Sequence, residues 1–378
     1  MIGKNLLKKK LKKKLVIIDD FLNRNHFCDI LIDPTGQYIE NKNDKIDKIF
    51  SGLKYVVINK NFYRQNIKKK NFIFISFGSM DKLQMSLKTV KELINMKLKF
   101  KIVVAISKFS KNYSKLLEYQ NKKQIVICNE VKDLNYFLNR SIFAIGAAGT
   151  STFERIHLKI PSLVFKTASN QKNVLKNLSN INCVKIGNKK KIKESIIQFL
   201  NLKKSFNFNN IVDSFGAERV IPSIIKNKNK LKFEFFKNDI EQRDALFLMR
   251  NMSQHFSTSK ITNTKIFYNV HNKWCNLIEN NNTDLIYLII YENVTIGYIR
   301  YHLQKNIRKN INSLEISIFV QDDLSNKSFG SFSLNFFNSL FQDQHITAEI
   351  SKNNTSSLNF FKKNNFSFKN NEKKIKLF

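Results

Sequence analysis

Residues 142–171, IFAIGAAGTSTFERIHLKIPSLVFKTASNQ, constrain this chain more than any other stretch. Ile142–Ile145 is an unbroken apolar run that stops at small residues, the pattern of a strand buried on both faces. Gly146, Ala147, Ala148 and Gly149 then leave the backbone bare. Thr150 and Ser151 stand where a helix should start, and Glu154 falls on its first turn. A strand, a bare turn and a capped helix N-terminus together offer free N–H groups and a helix dipole to an anion. In the ligand reading a phosphate or pyrophosphate sits in the turn and Glu154 takes a pair of sugar hydroxyls. In the packing reading the small residues only let strand and helix approach closely, and Glu154 completes a helix cap. Spacing alone leaves both open, because short glycine motifs recur by chance.

Residues 15–215 repeat this kind of unit. Strand-like runs are expected at Leu15–Ile18, Ile30–Ile32, Tyr55–Ile58, Phe72–Phe77, Ile102–Ala105, Ile125–Cys128, Ile142–Ile145 and Ser162–Phe165. Amphipathic segments such as Ser86–Met96 and Val174–Leu178 lie between them. Such an alternation predicts a mostly parallel sheet covered on both faces, with ligands bound beyond the carboxyl ends of its strands. Gly78 in SFGSMD falls at such an end and offers a second phosphate-facing turn; the plainer reading is a loop with a helix cap at Ser79 or Asp81.

The pattern changes near Ile225. Residues 226–232, KNKNKLK, are polar and aperiodic and read as a linker. Beyond them a helix at Ala245–Met252, a hairpin from Ile286–Ile290 and Thr295–Tyr301, and an alternating strand at Leu314–Val320 are expected. A helix at Phe332–Leu340, a strand at Ile346–Ile350 and a helix at Ser356–Lys363 complete an α+β domain. The expected organisation is therefore 1–225, a linker at 226–232, and 233–378. A length of 378 residues accommodates two such domains.

Composition narrows the function classes. The chain has no run of eighteen apolar residues and no secretory leader pattern, so a membrane span is not expected and the cytoplasm is. Cys28, Cys128, Cys183 and Cys275 are scattered, with no CxxC and no histidine at zinc spacing. They read as reduced, mostly buried thiols, and no metal is predicted. The net charge of +36 would suit a nucleic-acid binder, but the lysines are spread evenly among Asn, Ile and Phe. No basic motif interleaved with aromatics occurs. Nucleic acid is not the expected partner, and the runs Lys8–Lys10 and Lys12–Lys14 read as a solvated face rather than a phosphate or membrane patch.

The motifs of the first domain, IIDD…CDILID, GLKYVVIN, FISFGSMD, AIGAAGTSTFER…IPSLVF…ASNQ and FGAERV, run collinearly. This series resembles the UDP-sugar hydrolases of pseudaminic acid biosynthesis, over roughly residues 15–225. The resemblance implies a GT-B-like fold, similar to the glycosyltransferase that makes lipid II, whose second Rossmann-like half holds UDP. It implies pyrophosphate at Gly146, Gly149, Thr150 and Ser151, ribose hydroxyls at Glu154, and an approach of Asn170 and Gln171 to the sugar or phosphate. The family also carries a G-x-G-H motif, whose histidine activates water. No such motif occurs in this sequence, and His26 and His157 do not match it. The resemblance thus implies an incomplete GT-B unit: a truncated start, a separate chain supplying the missing half, or a domain that only binds.

The C-terminal part carries FFKNDIEQRDALFLMRN, HNKWCNLI, LIYLIIYENVTIGYIRY, LEISIFVQDDLSNKSFGSFSLNFF and NNTSSLNFFKKNNF. These resemble the GNAT acetyltransferases, most closely those that N-acetylate amino sugars in the same pathway. The resemblance implies acetyl-CoA as substrate and acceptor amines on a UDP-amino sugar. It places the pantetheine along Leu314–Val320, with Ile318 and Val320 lining it, and the pyrophosphate on the loop Ser325–Ser331, through Ser325, Ser328, Gly330 and Ser331. Asn354 and Ser357 keep the family's N-x-x-S pattern. The loop retains one glycine of its usual Q/R-x-x-G-x-G/A. Phe361 stands where many relatives have a tyrosine acid, and it cannot donate a proton. Glu315 is the expected base, with pairing to a nearby lysine as its structural alternative; Trp274 and His271 read as packing.

Overall fold

The structure is a computed structural model. It describes residues 14–378 except 21–23, 41, 43, 60–61, 63–71, 123–124, 130, 170, 203–205, 209–210, 225–229, 253–264, 282, 306–311, 322–327, 343, 352–353, 372–373 and 378. Lys8–Lys10, Lys12, Lys13, Asn170 and Ser325 lie outside the described residues. The chain divides into two compact units, Met1–Ala217 and Glu218–Phe378.

The first unit holds two parallel sheets. β1 (Val16–Ile18), β2 (Phe27–Asp33) and β3 (Lys45–Ser51) form the smaller one. The larger contains β4 (Phe72–Ser76), β5 (Lys101–Ala105), β6 (Ile125–Cys128), β7 (Ser141–Ala147), β8 (Ser162–Phe165) and β9 (Lys185–Gly187), in the order β6-β5-β4-β7-β8-β9. Every pairing in it is parallel. Ile73, Phe74 and Ile75 are all buried, as are Ala144 and Ile145, which explains the unbroken apolar runs: each strand feeds two cores. Phe74, Val103, Ala144 and Val164 face one side with Phe153, Ile156, Val174 and Leu178. Ile73, Ile75, Val104, Ile145 and Leu163 face the other with Leu87, Val90, Leu93 and Ile196. The covering helices are α1 (Met85–Asn95), α2 (Tyr113–Asn121), α3 (Val131–Arg140), α4 (Ser151–His157), α5 (Gln171–Asn180) and α6 (Ile192–Leu200). Each fully buried Ile, Leu, Val or Phe contributes about 1.5–3 kcal/mol relative to exposure.

Two expectations for this unit need correction. Tyr55–Ile58 is not a strand: Leu53–Tyr55 is a 3-10 turn and the chain then runs irregularly. Tyr55, Val56 and Ile58 are buried as parts of a packed loop, while Val57 faces outward. Conversely, KIDKIFS forms β3 although its lysines disguise it.

α7 (Gly216–Ile224) spans the boundary between the units. The stretch 226–232 is not linker throughout, because Leu231 and Lys232 belong to β10 (Leu231–Phe235) and pair with Tyr291 and Ile290. Leu231 is buried, so a hydrophobic contact overrides the polar run around it.

The second unit is a seven-stranded mixed sheet in the order β10-β11-β12-β13-β14-β16-β15. Its other strands are β11 (Asp284–Tyr291), β12 (Val294–Lys305), β13 (Asn312–Val320), β14 (His345–Ser351), β15 (Phe368–Asn371) and β16 (Lys374–Leu377). All neighbours are antiparallel except β13 and β14. α8 (Ile240–Arg250) and α9 (Tyr268–Asn281) bring Leu246, Met249, Cys275 and Ile278 against Ile286, Leu288 and Tyr298 on one face. α10 (Phe329–Leu340) covers the other, where Phe337 meets Tyr287 at 4.3 Å and Phe233 at 5.0 Å between ring centroids. α11 (Thr355–Lys363) follows β14. All four cysteines are buried thiols, and burial pushes Cys183 up to about 12 and Cys275 up to about 11. No helix among the described residues is long and apolar enough to cross a membrane.

Candidate functional site

The first candidate follows from strand order. β4 and β7 are neighbours, with Ser76 paired to Gly146, while β5 and β8 lie on opposite sides of the pair. This is the switch point at which successive crossovers depart in opposite directions and leave a crevice beyond the strand ends. Gly78 and the turn Ala148–Ser151 both lie there, so two turns far apart in sequence are brought together. Their glycines differ. A Cβ on Gly146 would come within 2.2 Å of the Ser76 carbonyl oxygen, a close approach of backbones that glycine alone permits. A Cβ on Gly149 or Gly78 would meet nothing within 4 Å, and Gly78 has a φ of +88°. Gly146 packs; Gly149 and Gly78 border open space.

The turn is held by a residue that spacing did not reveal. Arg155 is fully buried and donates to the Ala147 carbonyl at 2.9 Å, to Thr152 Oγ1 at 2.9 Å and to Ser151 Oγ at 3.3 Å. Burial lowers its pKa to about 10, against the opposing pull of Glu154. Ser151 is therefore tied to the turn itself. Thr150 makes no side-chain cap and has helical backbone angles. Glu154 is half-buried, and burial raises its pKa although Arg155 opposes the shift. The seven-residue α4 is a short helix, so its dipole contributes less than the sequence pattern suggests. Gln171 spends its carbonyl on the Thr167 and Ala168 amides, at 2.7 and 3.2 Å. It shapes that loop. The SFGSMD turn is likewise organised by Asp81, which accepts from the Met85 and Ser86 amides at 2.9 and 2.7 Å; this is the cap.

A cleft of about 780 Å³ opens beyond the ends of β8 and β9. It is lined by Lys166, Thr167, Ser169, Gly187, Asn188 and Lys189 among others. The cleft lies one strand pair over from the Gly149 turn, since Phe165 ends β8 beside Ala147. The two lysines were not singled out in the sequence, where they are two of many.

The second candidate lies within the sheet of the second unit. β13 pairs with β12 along its whole length, from Asn312 to Val320. On its other edge it pairs with β14 only at Ser313, Leu314 and Glu315, after which β14 pairs with β16. The backbone edge from Ile316 to Val320 thus has no strand partner among the described residues. Ile318 and Val320 lie on this open limb. At its far end Ser328 adopts left-handed angles (φ 59°, ψ 15°) and α10 begins. A Cβ on Gly330 would lie 3.2 Å from Phe360 and 3.8 Å from Val320, so the first turn of α10 packs beside the open limb. Ser331 Oγ accepts from Asn364 at 3.1 Å. Asn354 accepts from the Ser357 amide at 3.0 Å and caps α11. Phe361 is buried against Phe360 and Phe366.

Strand register assembles a polar row across the closed base of this fork. Asp284 lies opposite His302, His302 opposite Glu315, and Glu315 opposite Thr347. Directly opposed residues share a face. Glu315 accepts a hydrogen bond from Gln304, and its partner among the described residues is this amide rather than a lysine. Asp284 is buried and accepts from Arg300 Nε at 2.5 Å, from Thr283 Oγ1 at 2.9 Å and from His302 Nδ1 at 3.0 Å. Arg250 stacks on Trp274 with 3.9 Å from guanidinium carbon to ring centroid, and Arg300 lies 5.7 Å from the same ring. Below them His271, fully buried, faces Arg250 Nη1 at 3.1 Å and the Arg243 carbonyl at 3.0 Å. Burial brings its pKa down to about 4. Among the described residues no group of three or more His, Cys, Asp or Glu could hold a metal ion.

No family model matches the chain, and no curated protein does. Solved structures similar to part of it include the N-acetyltransferase PseH of Campylobacter jejuni, at 15% identity over 39% of this chain and 96% of that one (TM-score 0.29). The ribosomal L7/L12 α-N-protein acetyltransferase RimL, solved with coenzyme A, is similar at 13% identity over 40% and 94% (TM-score 0.33). The GNAT domain of an S. lividans protein is similar at 12% identity over 39% and 88% (TM-score 0.33). Each likeness covers about two fifths of this chain.

Proposed function

We propose that this chain is a cytoplasmic enzyme of surface-glycan synthesis of the pseudaminic acid type. Its second unit transfers an acetyl group from acetyl-CoA to the amine of a UDP-amino sugar, and its first unit is a hydrolase-like domain that binds UDP-sugar, and acts on it, at the β4–β7 switch point. The observation that carries this reading is the fork between β13 and β14. An open strand edge offers alternating N–H and C=O groups to an extended amide-bearing arm, as β-strand addition does. Pantetheine is such an arm. The start of α10 at the mouth of the fork then meets the pyrophosphate, through Ser328, Gly330 and Ser331. In the first unit the open turn at Gly149 and the lysine-edged cleft beyond β8 and β9 suit the phosphates and nucleoside of UDP.

A second reading keeps the acetyltransferase and makes the first unit a binding module for UDP-sugar or for a partner chain. What favours it is the content of the switch point. Arg155 is locked in the turn, Asp81 is consumed as a cap, and Glu154 is the carboxylate on the first turn of α4. Hydrolysis requires a base within hydrogen-bond reach of the water.

Calorimetric titration of the full chain with UDP and with acetyl-CoA, beside Glu154→Ala and Gly330→Trp, tests both halves. Wild type binds both ligands, and each variant loses only its own by tenfold or more. Failure of both ligands to bind wild type at millimolar concentration contradicts the enzyme reading.

A further inference from the structure

The row at the base of the fork contains one imidazole with a defined orientation. His302 lies in β12 between Asp284 and Glu315, where β13 and β14 part. Its Nδ1 stands 3.0 Å from Asp284 Oδ1. A carboxylate oxygen accepts, so Nδ1 donates and the neutral ring carries its lone pair on Nε2. Asp284 is itself fixed: it is buried, and Arg300 and Thr283 hold its oxygens. The His302 side chain is 40% exposed while that of Asp284 is 4% exposed. The arrangement is a buried orienting carboxylate behind a reachable imidazole.

Resting on the acetyl-transfer reading, we infer that His302, oriented by Asp284, is the general base that takes the proton from the acceptor amine. Glu315 is the weaker candidate, because its carboxylate already accepts from Gln304. An arm lying along Ile316–Val320 with its pyrophosphate at α10 places its acyl end at the closed base of the fork, beside this row. The neutral amine attacks the thioester carbonyl and forms the C–N bond. An N–H proton passes to His302 Nε2, and the C–S bond breaks to release coenzyme A thiolate. The thiolate takes a proton from solvent, and His302 returns its proton to solvent. Base catalysis of this kind supplies about 10²–10⁴-fold. Asp284 acts as a positioning residue. The charged groups facing His302 are Asp284 from β11, Arg300 from β12 and Glu315 from β13. From α8 and α9, Arg250 and Trp274 stack beside Arg300.

The test uses the full chain with acetyl-CoA and a UDP-linked aminohexose as acceptor probe. His302→Asn keeps a donor near Asp284 and removes Nε2. It is expected to bind acetyl-CoA with unchanged Kd while kcat at pH 7.5 falls about a hundredfold, with rate recovered as pH rises and the amine arrives deprotonated. Asp284→Asn is expected to lower kcat by about tenfold and shift the pH profile, because the ring loses its orienting acceptor. Unchanged rate and pH profile in His302→Asn overturn the role of His302 while leaving the acetyltransferase standing. Failure of wild type to bind acetyl-CoA overturns the acetyltransferase reading, and this one with it. Nitrogen-15 NMR of the His302 ring decides without turnover: a neutral ring protonated on Nδ1 is expected, and one protonated on Nε2 overturns the assignment.

Discussion

The two units open their sheets in different ways. In the first, β4 and β7 stay paired to their ends, Ser76 against Gly146, and the opening is made by the loops beyond. In the second, β13 and β14 part after three pairs, and the opening lies within the sheet. A loop-built opening presents side chains and turn amides, which suit phosphates and a nucleoside. A fork presents a strand edge, which suits an extended chain of amides. The difference also sets what each tolerates. The first depends on a backbone approach so close that one methyl group is too many; the second depends on support from beneath, where α8 and α9 hold a network of charged and aromatic side chains.

The largest expected effect probes the first region. Gly146→Ala forces a methyl group to within 2.2 Å of the Ser76 carbonyl oxygen, and a backbone carbonyl cannot rotate away. We expect a loss of about 3 kcal/mol or more in chemical denaturation. Gly149→Ala, whose Cβ meets nothing, should leave stability within about 0.5 kcal/mol and weaken UDP binding. Equal destabilisation by both would erase the distinction between packing glycine and site glycine.

The next effect probes the second region. His271 has its folded pKa lowered to about 4 by burial, below the unfolded value near 6.5. The neutral ring's contribution is therefore complete above about pH 6.5 and lost as pH falls toward 4, by about 3 kcal/mol in all. Urea melts of the second unit's transition across that range should show this slope, and His271→Gln should flatten it. A slope unchanged in the variant would place the titration elsewhere.

A smaller effect separates neighbours in the polar row. Glu315→Gln is expected to reduce kcat no more than a few fold, since the carboxylate it removes is already bonded to Gln304, against the hundredfold loss expected of His302→Asn. A reversed order of the two variants would make Glu315 the base.

What could be read in the sequence followed period and proximity. The buried runs of β4, β5, β7 and β8 declared themselves because both faces of that sheet are covered. The Gly146–Ser151 turn declared itself because its parts are consecutive. β3 was hidden because lysines and an aspartate fill its partly exposed positions, and β9 because three residues carry no period. Tyr55–Ile58 was misread because burial, not strand pairing, makes it apolar. The polar row escaped for a different reason: Asp284, His302, Glu315 and Thr347 sit on four strands, and only register unites them. Arg155 escaped because an arginine on a short helix ordinarily reads as surface, whereas here the turn's carbonyl and hydroxyls receive it.

Amide hydrogen exchange of the full chain, with and without saturating acetyl-CoA, bears most directly on the fork. The account predicts new protection confined to the open limb at 316–320 and to the start of α10 at 328–331, with the six-stranded sheet unchanged. Saturating acetyl-CoA that leaves 316–320 unprotected, or protects only the Gly149 turn, would contradict it.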